Sequence, residues 1–348
     1  MMLTLQTWVL GAILAGSPSV EIQESRLTVR TASVEAVFNG AVLESLKPAK
    51  SDMEFVHPQP GGAGVDLLYL GSHMLGTDKH QKTAVRKISD LAARIEVIGD
   101  DSRRTLTVMA DPDTGDIRVL PDGLSSRRGL QSVRWSWAMH PEATAILPCV
   151  NGLRVRLDQP HPPTRRFGWP FEWNAQLAIC ERGEFSIMIH SQDRSYQFKA
   201  LNLIRHADRV ELGFDTESPG SLWDVRTAGG VEWRLNAYKG DWKVPADRYR
   251  AWMARAYDLG SKDRDRPAWV KNIKFAQCWA DPNPEMLDAL AEVHAPAETL
   301  IHLANWRTDK YDVNYPDYVA SEQALKYMTK AREMGFHVMP HFNYFAVY

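Results

Sequence analysis

Apolar and polar positions follow two different rhythms along this chain, and the change between them falls near Trp242. From about residue 20 to 243 they alternate in short runs. Residues 104–110 (RTLTVMA), 117–120 (IRVL), 184–190 (EFSIMIH), 196–203 (YQFKALNL), 209–214 (RVELGF) and 231–238 (VEWRLNAY) each have the period of two that gives a strand one inward and one outward face. Turns rich in Asp, Gly, Asn and Pro separate them, and helix signals are nearly absent. Residues 20–243 are therefore expected to form a large antiparallel β-sandwich.

Beyond it the rhythm becomes helical and then alternates between element types. Residues 244–259 (VPADRYRAWMARAYDL) carry Tyr249, Trp252, Met253 and Ala256 on one face, which predicts an amphipathic linker helix. The charged run 260–267 (GSKDRDRP) completes a connection over 244–266. Three apolar runs of strand length follow, at 272–280 (NIKFAQCWA), 299–304 (TLIHLA) and 336–342 (FHVMPHF), expected to be buried on both faces. Between the first two, Asn283 and Pro284 form an N-cap and first helical position, with Met286, Leu287, Leu290 and Val293 as the apolar face. Between the second and third, Ser321 caps a helix whose Leu325, Met328 and Ala331 are expected to face inward, with Gly335 as its stop. Strand, helix, strand, helix, strand over 267–348 reads as the first three βα units of an incomplete (β/α)8 TIM barrel, because a complete one needs about 250 residues. The chain is read as truncated within that barrel.

Length and composition change this picture little. A chain of 348 residues with formal charge −2 and 24% charged residues suits about two ordinary domains and no nucleic-acid partner. Cys149, Cys180 and Cys278 lie far apart in apolar stretches with no CxxC and no histidine at zinc-ligand spacing, so all three are expected to be buried thiols and no metal is expected. The loop 111–116 (DPDTGD) lacks the glycine and glutamate of a calcium loop and reads as a hairpin turn. No dinucleotide, phosphate-loop, serine-hydrolase or zinc-protease motif occurs, and no cofactor is implied. Residues 1–16 (MMLTLQTWVLGAILAG) have the apolar length of a signal peptide without its basic start, so segment 1–19 is either a secretion signal, with the protein secreted or periplasmic, or a first element of a cytoplasmic protein. No other stretch approaches a membrane span.

Several short motifs carry a resemblance. Gly240-Asp241-Trp242 followed by Tyr249-Arg250-Ala251-Trp252 resembles the GDW…YRxW junction of secreted bacterial glycosidase-like proteins, in which a galactose-mutarotase-like sandwich precedes a (β/α)8 barrel. Gly168-Trp169-Pro170, 173–176 and 187–193 (IMIHSQD) look like that sandwich, and 311–318 (YDVNYPDY) and 333–343 (EMGFHVMPHFN) look like the second and third βα units. The likeness is to the broad group of α-galactosidases, α-glucosidases and endo-α-N-acetylgalactosaminidases, and it implies retaining hydrolysis of an α-linked glycan. Such a site holds two carboxylates about 5 to 5.5 Å apart. In the related enzymes these come from barrel strands four and six, so the catalytic residues are expected beyond the end of this chain and none is assigned.

What the resemblance leaves within the chain is one side of a carbohydrate site. Trp279 and Asp281 follow the first strand, Asn305, Trp306 and Arg307 the second, and His341, Asn343 and Tyr344 the third, with Asp312 in the loop after strand two. Barrels build sites on that face, and sugars need an apolar ring for their C–H face with Asp, Asn or His for their hydroxyls. Plainer roles stand beside these: the tryptophans can pack the barrel mouth, Asp312 can cap a turn, His341 can be a core histidine, and Asn343 can bond a neighbouring loop. Asn305 stands where α-galactosidases carry an acidic residue, which leaves the sugar open. The second reading is a non-catalytic carbohydrate-binding or interaction protein with the sandwich as its working module.

Overall fold

The computed structural model describes residues 17–57, 64–71, 80–156, 158–159, 164–219, 223–262, 266–309 and 313–342. The apolar segment 1–16, Asp312, Asn343 and Tyr344 lie outside the described residues. The fold is multidomain and mostly antiparallel β, and contacts divide it into two compact units, one ending at Tyr257 and one beginning at Asp258.

In the first unit, strands β1 (Ser19–Gln23), β2 (Arg26–Arg30), β3 (Val34–Asn39) and β4 (Val42–Pro48) form an antiparallel meander. The chain continues through β5 (Val65–Tyr69), β6 (Lys82–Ser89), β7 (Ala92–Ile98), β8 (Ser102–Ala110), β9 (Ile117–Ser125), β10 (Leu130–Ala138), β11 (Thr144–Leu147) and β12 (Leu153–Val155). It then runs through β13 (Arg165–Gly168), β14 (Leu177–Arg182), β15 (Phe185–Ser191), β16 (Lys199–Arg205), β17 (Val210–Glu217), β18 (Thr227–Gly229) and β19 (Trp233–Lys239). A second sheet has the order β13-β16-β17-β10-β5, and a larger one runs β12-β11-β14-β15-β19-β9-β8-β7-β6 with β18 beside β9. Alternation explains the pairing: in β8 every second residue is buried, and its nine positions pair in register with β9.

One apolar core joins the sheets. At its centre Phe214 of β17 meets Trp233 of β19 at 5.1 Å between ring centroids, with Trp135 and Trp173 packed around them. Trp135 and Trp137 share the buried face of β10, as their spacing predicts, and serve packing. The segment 196–203 differs from expectation. Its strand, β16, starts only at Lys199, because Asp193 and the buried Lys199 tie residues 193–199 into a loop.

Helix α1 (Lys243–Ala256) lies on the larger sheet of this unit. Buried Tyr249 packs on Leu177, Ile179 and Met188, and its hydroxyl accepts the Gln176 amide at 3.1 Å. Beside it Arg248 pairs with the fully buried Asp116 at 2.9 Å, a carboxylate that also accepts from Arg234 at 3.1 Å. The Asp111 loop is a turn in which the Asp111 side chain accepts the Asp113 and Thr114 amides. Arg234 reaches the carboxylates at both ends of it.

The second unit begins with the short helix α2 (Leu259–Lys262) and a 3-10 turn at Ala268–Asn272, then β20 (Phe275–Ala280), α3 (Pro284–Val293), β21 (Thr299–Leu303), α4 (Glu322–Met334) and β22 (His337–Pro340). The three strands are parallel in the order β20-β21-β22. Local chemistry sets the helix ends as read from the residues. Asn283 accepts the Glu285 amide at 3.1 Å ahead of Pro284, Ser321 accepts the Ala324 amide at 3.1 Å, and Gly335 ends α4 at φ 91.

Three expectations are corrected here. The strands are not buried on both faces among the described residues: α3 and α4 cover the side of Ile301 and Leu303, while Ala276, Cys278 and Met339 on the other side are exposed. Cys278 is consequently an exposed thiol, whereas burial pushes Cys149 and Cys180 each up to about 12. The inward face of α4 is Ala324, Tyr327 and Ala331, with Leu325 half exposed, and Val293 of α3 is turned to solvent.

Candidate functional site

The C-terminal ends of β20, β21 and β22 bring together Trp279, Asp281, Asn305 and His341 of the residues that the sequence singled out. Pairing between β20 and β21 shifts between Gln277 and Ala280, and Trp279 within that shift has φ 55. A non-glycine residue there is strained by roughly 1–2 kcal/mol. The bulge leaves the indole 57% exposed at the strand end, 5.4 Å from the His302 ring and 5.1 Å from the His341 ring.

His302 is the residue that strand patterning missed. It faces away from the helix-covered side of β21, and it is the one titratable side chain in an otherwise apolar TLIHLA run, a signal that could have found it. Its Nε2 lies 3.0 Å from Nδ1 of His341, while the Trp279 amide points at its Nδ1 from 3.5 Å. That amide assigns the ring proton of His302 to Nε2, which donates to His341. Burial and the adjacent His341 hold the His302 imidazole below its ordinary value.

Asp281 and Asn305 sit together at the exposed end of the same strands, the Asn305 amide donating to Oδ1 of Asp281. Trp306 is placed differently. It is 5% exposed, packs between Tyr318 and Phe342, and donates its indole N–H to the carbonyl of His341 at 2.8 Å. It therefore positions His341 from behind. Arg307 is a loop clamp: it donates to the carbonyls of Asp317 at 2.6 Å and Val313 at 2.7 Å and stacks 4.1 Å over Tyr315.

The arrangement offers an exposed indole face, a bonded imidazole pair and a carboxylate bonded to an amide. These groups can contact C–H surface and hydroxyls together. Among the described residues no group of three or more His, Cys, Asp or Glu could hold a metal ion. No helix among them is long and apolar enough to cross a membrane.

Residues 231–347 match a family model described as a domain of unknown function, DUF6259. No curated protein matches the chain. Among solved structures the fold is similar to the α-N-acetylgalactosaminidase NagBb from Bifidobacterium bifidum. The Gal-NHAc-DNJ complex of that protein gives TM-score 0.64 at 12% identity, covering 92% of this chain and 59% of that chain. Its ligand-free form gives 0.64 at 14%, covering 90% and 59%, and its GalNAc complex 0.62 at 12%, covering 94% and 60%. At such identity the likeness is one of fold, and the chain spans about 60% of the galactosaminidase's length.

Proposed function

We propose that the strand ends of the second unit form one wall of a carbohydrate-binding site in a glycoside-hydrolase-related protein acting on an α-linked glycan. The observation that carries this is the strained bulge at Trp279, which sets an exposed indole over the His302–His341 pair beside Asp281 and Asn305. Strain held at a solvent-facing aromatic is the kind of cost that binding sites sustain. Fold likeness to an α-N-acetylgalactosaminidase supports the same substrate class.

In this reading β20, β21 and β22 are the first strands of a (β/α)8 barrel, and their uncovered face is the barrel interior. Segment 20–243 is the sandwich, 244–266 the linking helix and connection, and 267–348 the barrel portion. By the resemblance to the α-glycosidases, the nucleophile and the acid of a retaining mechanism belong to strand ends other than these three.

Two measurements on the 348-residue chain test this. Incubation with aryl α-galactoside and aryl α-N-acetylgalactosaminide is expected to release no phenol, and turnover would overturn the assignment of the reactive acids elsewhere. Ligand-observed NMR with N-acetylgalactosamine and galactose at millimolar concentration is expected to show contact that the Trp279→Ala variant loses. Contact unchanged in that variant would place the site elsewhere.

A further inference from the structure

The loop between β15 and β16 presents Tyr196 and Phe198 to solvent, 61% and 58% exposed. Tyr196 does so at φ 59, a backbone conformation that side chains other than glycine seldom take. The loop is nonetheless tied down from beneath. Oδ1 of Asp193 accepts the Ser195 amide at 2.8 Å and hydroxyl at 2.6 Å, and Oδ2 takes the ammonium of fully buried Lys199 at 2.8 Å. Lys199 also donates to the Gln197 carbonyl at 2.7 Å and lies 4.1 Å from the Trp169 ring, which stacks on Tyr196 at 6.1 Å. The Gln197 side chain donates to the carbonyls of Glu217 at 2.7 Å and Gly229 at 2.8 Å. A loop built this firmly to hold two apolar rings in water is preorganised for contact.

The chemistry around the rings narrows the ligand. Tyr196 and Phe198 line a concavity of about 470 Å3 with Ser195, Gln197 and Glu217. The carboxylates at its edge are balanced, Asp193 by Lys199 and Glu217 by Arg166, so no free carboxylate there calls for a cationic ligand. Aromatic walls with hydroxyl, amide and carboxylate groups suit the alternating C–H and O–H surface of a sugar ring. We propose that this loop is a carbohydrate-binding subsite of the sandwich for an oligosaccharide, separate from the strand ends of the second unit.

Affinity electrophoresis of the 348-residue chain through gels containing galactomannan, glycogen, xylan or mucin tests the proposal. At least one glycan is expected to retard the chain, with Tyr196→Ala and Phe198→Ala each weakening that retardation about tenfold, the loss typical of removing an anchoring aromatic. The same weakening by Tyr196→Ala and Phe198→Ala is expected in a Trp279→Ala background, which removes the strand-end contribution. No retardation by any of the four, or retardation unchanged in Phe198→Ala, overturns the subsite. Retardation lost in Trp279→Ala alone overturns it too, while upholding the strand-end site. Phe198 is exposed and outside the core, so its variant reports binding even where Tyr196→Ala disturbs the loop.

Discussion

His302 and His341 are bonded to each other through their rings, Nε2 of one to Nδ1 of the other at 3.0 Å, one nitrogen as donor and the other as acceptor. A proton added to His302 would set Nδ1–H against the Trp279 amide, and one added to His341 would set two N–H groups face to face. Burial first, and the adjacent His341 second, lower the pKa of His302. In ring-proton NMR titrations, His302 is expected to stay neutral at pH 6.5, where an ordinary histidine is half protonated. Sugar contact at the strand ends is expected to persist to below that pH and to fail as His302 finally charges. A His302 titration at or above 6.5 contradicts the burial of its imidazole beside His341.

The two tryptophans beside this pair are expected to respond in opposite ways. Trp279 is mostly exposed, so Trp279→Ala is expected to change stability by no more than about 0.5 kcal/mol and to weaken sugar contact about tenfold. Trp306 is buried, and truncating it to alanine is expected to cost about 3–5 kcal/mol. Trp306→Phe keeps most of the packing and removes the N–H that holds His341, and is expected to weaken binding with the unit still folded. Urea titrations beside NMR binding separate these outcomes.

How far these elements were legible depends on the range of the interaction that sets them. The caps at Asn283, Ser321 and Gly335 are local, and their residue types alone place them. The β-rich first unit was legible from alternation, since a half-buried strand writes its period into the sequence. The bulge at Trp279 was not legible, because tryptophan has no preference for φ 55 and the sheet imposes it. The rotation of α4 toward Tyr327 was missed because leucine outranks tyrosine in hydrophobicity, whereas the facing sheet decides which side packs. Cys278 misled for a related reason: an apolar strand reads the same whether or not both faces are covered. His302 was hidden inside an apolar run, and only its partner 39 positions away gives it a role.

The first unit contains a titratable group of another kind. His190 is buried among α1 and the larger sheet, facing Asp116, Arg234, Arg248 and the edge of Tyr249, and burial pushes its imidazole down to about 3 despite the nearby carboxylate. A folded pKa below the unfolded one means that the unfolded chain binds the extra proton first. Stability is therefore complete above about pH 6.5 and declines below it by ~1.4 kcal/mol per pH unit, until the folded-state value near 3 is reached. Replacing the imidazole by the apolar ring in His190→Phe is expected to flatten this slope in chemical denaturation between pH 6.5 and 4. An unchanged slope assigns the acid sensitivity to other groups.

The same corner fixes α1 to the larger sheet through one carboxylate. Asp116 is fully buried; desolvation alone would raise its pKa, but the Asn236 amide and the Arg248 guanidinium outweigh it and hold the group below the usual range. Asp116→Ala leaves the Arg248 guanidinium with only the Tyr238 hydroxyl, while Arg234 keeps Asp111 and Glu232, and a broken buried pair typically costs about 3–5 kcal/mol. Because Arg248 belongs to the helix and Arg234 to β19, the loss is expected to loosen α1 before the sheets come apart. Hydrogen exchange is the suitable measurement: amides of residues 246–256 are expected to lose protection in Asp116→Ala while those of β8 and β9 keep it. Equal loss in both would mean that the carboxylate supports the whole sandwich, not the seat of the helix.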